Sequence, residues 1–212
     1  MPFKYKEEEH SSTTKKMKVA IVKYNAGNIR SVVNAVERLG YEPVLTDSPE
    51  ELRSADKIIF PGQGEASTTM KYLREHGLDK VILSLTQPVL GICIGMQLLC
   101  RHSEEYDTQC LGVFDVDVKR FVSKSHADKV PQMGWNTVTD CKTPLFKDFT
   151  KPEYVYFVHS YYVPLCEHTI ATTDYIQPYS SALHKGNFYA TQFHPEKSGS
   201  VGERILRNFL EL

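Results

Sequence analysis

Apolar residues in the first half of the chain form short continuous runs separated by longer amphipathic segments. The runs KVAIV, KIIF and PVLGI, and the segment YEPVLT, have the length of strands. Between them, apolar positions recur every three or four residues, as in the segment that carries Ile29, Val32 and Val36 and closes at Gly40. Strands that alternate with helices predict right-handed βαβ units, and so a mostly parallel sheet with helices on both faces.

Helix signals and a change of pattern complete this outline. Ser48 is the predicted N-cap of a helix that begins at Pro49, with Glu51 as its capping-box partner. Further helices are predicted near residues 66–76 and 79–85, and VGERILRNFLEL ends the chain as an amphipathic helix. From Leu111 onward, GVFDVDVKRFV, YVYFVHSYYV, TIATTDY and NFYATQFH predict short antiparallel strands added to the sheet.

Length and composition indicate one globular domain. Residues 1–16 are polar and lack periodicity, so they are predicted to be a disordered extension before a single domain over 17–212. The formal net charge of −1 gives no general attraction to nucleic acid or to anionic membranes. Five cysteines without a C-x-x-C pair predict free thiols, a cytoplasmic location, and neither structural zinc nor another cofactor.

The most informative short segment is GICIG, in which Cys93 follows an apolar run and lies between two glycines. This G-x-C-x-G pattern is typical of a nucleophile elbow, a strained strand-to-helix turn that exposes its central residue. The following helix N-terminus favours the thiolate, and the backbone N–H of Ile94 is placed to bind an oxyanion. A free cysteine is more often a small core residue. That interpretation is kept for the other cysteines, which are Cys100, Cys110, Cys141 and Cys166.

A nucleophilic cysteine needs a base, and HPE near the end of the chain supplies one. His194 follows a strand, and Pro195 favours extended backbone, so His194 and Glu196 can point to the same side. Glu196 then orients the imidazole, whose other nitrogen faces Cys93. A metal site formed by Cys93, His194 and Glu196 is the less favoured alternative, because no further ligand cluster accompanies them.

These segments also carry a family resemblance. GICIGMQ together with HPE resembles the class I, triad-type glutamine amidotransferases. YNAGNIRSV, FPGQGEAST, VPQMGWN, YFVHSYY and QFHPEKS narrow the resemblance to the glutaminase subunits of imidazole glycerol phosphate synthase. The resemblance covers residues 17–212. It implies an α/β fold of the flavodoxin-like, class I amidotransferase type, with an open, mostly parallel sheet flanked by helices and added antiparallel strands in the second half.

The resemblance assigns a role to each matching residue. It implies that Cys93 attacks the glutamine carboxamide, that His194 transfers the protons, and that Glu196 orients His194. The oxyanion hole would come from Ile94 and from the PGQG loop, at Gln63 and Gly64, although the family usually has an aliphatic residue at the position of Gln63. The residues that match substrate-binding positions are Gly62, Gln97, His159, Ser160 and Tyr161.

The resemblance also implies a partner. In this family the ammonia passes to a cyclase of TIM-barrel fold, which forms a heterodimer with the glutaminase. The cyclase makes imidazole glycerol phosphate, for histidine biosynthesis, and an aminoimidazole carboxamide ribotide. Asn28, Trp135, Tyr156 and Lys197 match positions near the junction. Without the resemblance, Trp135 and Tyr156 would be interpreted as core residues and Lys197 as a solvated charge.

Three other interpretations remain open at this stage. The nearest is another triad glutaminase, such as one that serves pyridoxal phosphate or anthranilate synthesis, although GNIRSV and MGWN argue against it. A cysteine hydrolase with a flavodoxin-like fold would share the elbow, but HPE and Gln97 fit an amidotransferase better. A non-catalytic scaffold is the third interpretation, and the intact Cys93, His194 and Glu196 oppose it.

Overall fold

The structure, a computed structural model, describes residues 17–24, 29–62 and 64–212. The predicted extension at 1–16 lies outside the described residues, as do Asn28 and Gln63. The helices are α1 (Arg30–Arg38), α2 (Pro49–Ser54), α3 (Ala66–Glu75), α4 (Leu78–Leu83), α5 (Ile94–Leu99) and α6 (Gly199–Leu210). Short 3₁₀ turns cover Glu105–Asp107, Pro144–Phe146 and Pro195–Lys197.

Thirteen strands are present in the described residues. In the first half they are β1 (Val19–Val22), β2 (Val44–Thr46), β3 (Lys57–Phe60), β4 (Val89–Ile92), β5 (Cys100–Ser103) and β6 (Thr108–Gln109). In the second half they are β7 (Phe114–Arg120), β8 (Gln132–Val138), β9 (Glu153–His159), β10 (Tyr161–Tyr162), β11 (Thr169–Asp174), β12 (Pro178–Lys185) and β13 (Phe188–Thr191).

Seven of these strands form the main sheet, in the order β11-β12-β13-β4-β3-β1-β2. All pairings from β13 to β2 are parallel, whereas β11 and β12 join by antiparallel pairing. Strands β1, β3 and β4 are buried along their whole length, as expected when helices cover both faces. The predicted α/β class, mostly parallel with antiparallel additions, is therefore confirmed.

The second half differs from the prediction in how its strands are distributed. Strand β13 pairs parallel to β4 rather than antiparallel, and β7 belongs to a separate four-stranded sheet with order β10-β7-β5-β6. Strands β8 and β9 form a two-stranded antiparallel ribbon. Strand β12 was missed because Ser180 and Ser181 interrupt its apolar pattern, although both are fully buried. The Ser180 hydroxyl bonds to Thr169 and to the Pro164 carbonyl, which makes this burial tolerable.

The hydrophobic core is divided between the two faces of the main sheet. One face packs against α2, α3, α4 and α5, and the other packs against α1, α6 and the β8–β9 ribbon. The apolar residues predicted to face inward on the last helix, Ile205, Leu206, Phe209 and Leu210, are all fully buried. Two layers of helices thus leave the carboxyl edge of the parallel strands as the place where loops meet.

Helix α2 shows one local departure from the sequence prediction. The Ser48 hydroxyl accepts from the Glu51 N–H at 3.4 Å, which is the predicted N-cap bond. The reciprocal bond is different, because the Ser48 N–H donates to the Thr46 hydroxyl at 2.9 Å rather than to Glu51. The Thr46 hydroxyl, two residues before Ser48, accepts this N–H in place of the Glu51 carboxylate. Within the described residues, no helix has the length and apolar character needed to cross a membrane.

Candidate active site

The Cys93 turn has the strained backbone that its sequence predicts. Cys93 lies between β4 and α5 with φ of 52° and ψ of −109°, a conformation that non-glycine residues seldom adopt. Its N–H donates to the Thr191 carbonyl at 2.7 Å, which anchors the turn to β13. A Cβ on Gly95 would lie 2.3 Å from the Phe60 carbonyl oxygen, so a glycine is needed there. The strain and the close packing fix the direction of the Cys93 side chain.

The loop after β3 packs directly against this turn. A Cβ on Gly62 would lie 1.8 Å from the Ile92 carbonyl oxygen and 2.5 Å from the Ile94 nitrogen. Only glycine allows that approach, and the Tyr24 hydroxyl holds the same loop by donating to the Pro61 carbonyl at 2.5 Å. Because α5 begins at Ile94, the Ile94 N–H has no acceptor one turn earlier within the helix. The Ile94 N–H, one of the predicted oxyanion-hole donors, is therefore next to Cys93, with Gly62 packed against it.

His194 and Glu196 form a buried pair. Nδ1 of His194 and Oε1 of Glu196 are 2.7 Å apart, and the two side chains are only 3% and 1% exposed. The backbone around His194 is also held, because the Ser198 hydroxyl donates to the His194 carbonyl at 2.6 Å and the His194 N–H donates to the Tyr156 carbonyl at 2.9 Å. Nε2 of His194 is buried and has no hydrogen-bond partner among the described residues.

The surroundings of His194 act on its pKa in opposite directions. Burial lowers the pKa, whereas the interactions with Cys93 and with Glu196 raise the pKa of His194 to about 10. Nε2 makes no hydrogen bond to a described residue, and the surroundings as a whole favour the charged imidazole of His194.

Cys93, His194 and the Gly62 loop line one cavity of about 340 Å³, a suitable size for a small-molecule substrate. Its wall contains ten of the residues singled out from the sequence, which are Gly62, Gly64, Cys93, Ile94, Gln97, His159, Ser160, Tyr161, His194 and Lys197. Glu196 lies behind His194 rather than on the wall. The fold thus gathers segments from both halves of the chain around one sulfur atom.

Two of the wall residues are held by their own hydrogen bonds. The Gln97 amide donates to the Tyr161 carbonyl at 3.0 Å. The ring nitrogens of His159 lie 2.7 Å from the Tyr161 carbonyl and 3.3 Å from the Tyr179 hydroxyl. Burial is the main cause that lowers the pKa of His159 to about 4, so this imidazole is neutral at pH 7.

Comparisons with known proteins agree with this geometry. The family profile described as glutamine amidotransferase class-I matches residues 20–212. The chain is 66% identical over 196 residues to "Imidazole glycerol phosphate synthase subunit HisH" of Bacteroides thetaiotaomicron, covering 92% of this chain and all of the relative. The protein of the same name from Pectobacterium atrosepticum is 46% identical over 198 residues, with the same coverage of both chains. This chain belongs to the class I glutamine amidotransferases, in the HisH family.

Solved structures support the fold. A protein described as a glutamine amidotransferase matches with a TM-score of 0.69 at 23% identity, covering 91% of this chain and 97% of that one. PurLQS from Thermotoga maritima also gives 0.69, at 18% identity, covering 92% and 98%. The predicted family and enzyme class are confirmed, whereas a cysteine hydrolase of another class and an amidotransferase of another pathway are not favoured.

In this HisH-family chain, three of the residues predicted at the partner junction lie close to the segment that carries His194. Trp135 on β8 is 56% exposed, and its ring meets that of Tyr156 on β9 edge to face, with centroids 6.0 Å apart. Neither is a core residue, which is the interpretation that the sequence alone would have favoured. Lys197 is exposed and lines the cavity. Asn28 lies outside the described residues.

Two residues of this candidate site were missed by the sequence analysis. Glu105 lines the cavity from the turn after β5, and its carboxylate accepts the Ala66 N–H at 2.7 Å. Burial raises the pKa of Glu105 above its usual value. Gln192 is fully buried, and its amide nitrogen lies 3.7 Å from Cys93 Sγ. Nothing local marks Glu105, whereas Gln192 stands two residues before His194 in the segment already singled out.

Proposed function

We propose that this chain hydrolyses glutamine to glutamate and ammonia through a thioester on Cys93. The observation that carries the proposal is the His194 imidazole, which is held on Nδ1 by a buried carboxylate and is unpartnered on Nε2 among the described residues, beside Cys93. An oriented imidazole next to an elbow thiol is the arrangement that nucleophilic catalysis requires.

His194 handles the protons in each half-reaction. It takes the Cys93 proton on Nε2, and the thiolate forms an S–C bond to the carboxamide carbon of glutamine. Collapse of the tetrahedral adduct breaks the C–N bond, and His194 returns the proton to the departing ammonia. Neutral His194 then activates water, which attacks the thioester and releases glutamate. Glu196 holds the imidazole orientation and stabilises its charged form throughout.

The oxyanion of each adduct needs hydrogen-bond donors beside the attacked carbon. The Ile94 N–H is one candidate, and a peptide N–H of the loop at Gln63 and Gly64 is the second. Gly64 has a φ of 135°, a backbone conformation that favours glycine. The second donor is proposed to be completed when the loop changes conformation upon assembly with a partner, which keeps the isolated chain slow.

The remaining wall residues suit the amino-acid end of glutamine. Glu105 supplies a carboxylate for the α-ammonium group, and the segment of Ser160 and Tyr161 supplies backbone groups for the α-carboxylate. Gln97 and Gly62 shape the cavity between them. His159 keeps the wall in place, because both of its ring nitrogens already have partners.

We propose that the ammonia passes to a cyclase of TIM-barrel fold in a heterodimer, since the relatives are named as subunits of imidazole glycerol phosphate synthase. The outward face of the β8–β9 ribbon is a suitable docking surface for this cyclase. It exposes Met133, Trp135 and Tyr154 next to half-buried Tyr156, whose carbonyl accepts the His194 N–H. Exposed apolar side chains grouped on one face are typical of partner sites.

The five cysteines are free thiols, which supports a reducing, cytoplasmic setting as a further part of this proposal.

The experiment that tests the proposal measures glutamate release from glutamine by the chain alone, with the cyclase, and with the cyclase plus its nucleotide ligand. We expect a large increase only in the last case, and its loss in Cys93→Ala. Glutaminase activity that is indifferent to the partner would keep the Cys93 chemistry but contradict the cyclase assignment. Unchanged activity in Cys93→Ala would contradict the thioester.

A further inference from the structure

Gln192 occupies a position that the chemistry above does not use. It follows the end of β13 directly, its N–H donates to the Ser181 carbonyl at 2.9 Å, and its side chain is completely buried. Nε2 of this side chain lies 3.7 Å from Cys93 Sγ, and Oε1 accepts from the Gln97 amide at 2.9 Å. One side chain therefore contacts both the reacting sulfur and a residue of the cavity wall.

The orientation of the Gln192 amide follows from its neighbours. The Tyr161 carbonyl can only accept, so the Gln97 atom that faces it must be the NH₂ group. The same NH₂ group faces Gln192, which must therefore present its oxygen to Gln97. The nitrogen of Gln192 is then left facing Cys93. The Tyr161 carbonyl thus fixes the orientation of the Gln97 amide, which in turn fixes that of the Gln192 amide. As a result, an N–H group of Gln192 faces the Cys93 sulfur.

We propose that Gln192 is a further catalytic residue of the glutaminase reaction, one that donates a hydrogen bond to the Cys93 thiolate. The inference rests on the proposed function of Cys93. When the thiol proton moves to Nε2 of His194, the Gln192 N–H stabilises the negative sulfur and holds it toward the substrate. The bond weakens as the sulfur lone pair forms the S–C bond, and it is restored when thioester hydrolysis returns the thiolate.

The chemistry of sulfur explains why this contact matters most when the sulfur is charged. A neutral thiol is a weak acceptor, whereas a thiolate forms a stronger, charge-assisted hydrogen bond. The Val158 carbonyl oxygen, 3.9 Å from Sγ, accepts from a thiol but repels a thiolate. The Gln192 amide presents an N–H group to the same sulfur, and it offsets that repulsion when the proton leaves.

The test measures how fast iodoacetamide alkylates Cys93 in the full chain between about pH 5 and pH 10, with the Cys93 peptide quantified by mass spectrometry. Gln192→Met, of similar size but without the donor, should be alkylated about tenfold more slowly at pH 7, with the half-maximal pH moved upward. The substitution removes no titratable group, so a change in the pH profile reports on Cys93. The titratable groups around the site are His194, Glu196, His159, Tyr179, Glu105, Tyr161 and Lys197.

Ser181→Ala is the matched control, because Ser181 is also fully buried beside Gln192 but its hydroxyl has no partner among the described residues. It should leave the alkylation profile as in the wild type. Thermal unfolding identifies variants that do not fold, and Gln192→Leu serves as the second apolar replacement if Gln192→Met is one of them.

The outcomes separate this inference from the proposed function. A wild-type profile in a folded Gln192→Met or Gln192→Leu variant overturns the role of Gln192 alone. A loss of rate that is equal at every pH also overturns it, because that result indicates altered packing rather than thiolate stabilisation. Absence of Cys93 alkylation in the wild type would overturn the proposed nucleophile and this inference together.

Discussion

At the scale of single residues, His159 is the clearest source of a pH effect on stability. Burial, partly offset by the hydrogen bond to the Tyr161 carbonyl and reinforced by the charge of His194, lowers the pKa of His159 from 6.5 to about 4. Between these values the unfolded chain binds a proton that the folded chain does not. The stability that neutral His159 contributes is therefore complete above pH 6.5 and is lost as the pH falls toward 4.

The expected size of this loss is about 3 to 4 kcal/mol, because the pKa of His159 falls from 6.5 to about 4 and each pH unit corresponds to about 1.4 kcal/mol. Urea unfolding at several pH values between neutrality and pH 4 measures it. His159→Gln keeps a donor and an acceptor but does not titrate, so its stability should fall less steeply with acid. Parallel curves for the wild type and His159→Gln would show that another group causes the acid sensitivity.

At the scale of elements, the elbow is built by close packing of glycines rather than by strain alone. Gly95 at the start of α5 lies against the end of β3, where a Cβ would be 2.3 Å from the Phe60 carbonyl oxygen. Gly40 after α1 presents the opposite case, since it has a φ of 89° and open space around a Cβ. The two positions therefore separate steric clash from backbone strain.

We expect Gly95→Ala to reduce the free energy of unfolding by about 3 kcal/mol, because backbone on both sides must move. Gly40→Ala should cost about 1 kcal/mol, the penalty for a left-handed alanine. Urea denaturation of both variants provides the comparison. Equal costs would mean that α5 can shift away from β3 without loss, which contradicts a tightly packed elbow.

At the scale of the whole molecule, the two faces of the main sheet have different surroundings. The β8–β9 ribbon covers one face and exposes Trp135, whereas α4 covers the other and exposes Leu83. If the ribbon is the docking surface for the cyclase, a charge placed at Trp135 is buried on binding and one placed at Leu83 is not.

Trp135→Asp should therefore weaken binding to the cyclase at least about tenfold, whereas Leu83→Asp should leave the dissociation constant unchanged. Isothermal titration calorimetry of each variant against the cyclase measures this, with unfolding curves as the check on folding. Equal affinities for the wild type and Trp135→Asp would place the partner on another surface.

Much of the site was predictable because its signals are local. Gly91 and Gly95 around Cys93 are required by contacts within a few residues of the turn and with the adjacent strand, so the sequence showed the elbow directly. His194 and Glu196 are two residues apart. Backbone that is extended at His194, as predicted, but turns in a 3₁₀ helix at Pro195–Lys197 brings the imidazole to the carboxylate. The parallel half of the fold was equally predictable, since its strands are buried on both faces and therefore consist of apolar runs.

The sequence by itself therefore determined the α/β class, the elbow at Cys93 and the pairing of His194 with Glu196, each of which depends on short-range periodicity or backbone geometry. Only the tertiary structure decided that β13 runs parallel to β4, that buried serines form part of β12, and that Glu105 and Gln192 reach the site. These features depend on contacts between distant segments. Gln192 and Cys93 are 99 residues apart, and no local pattern records that an amide and a sulfur will meet.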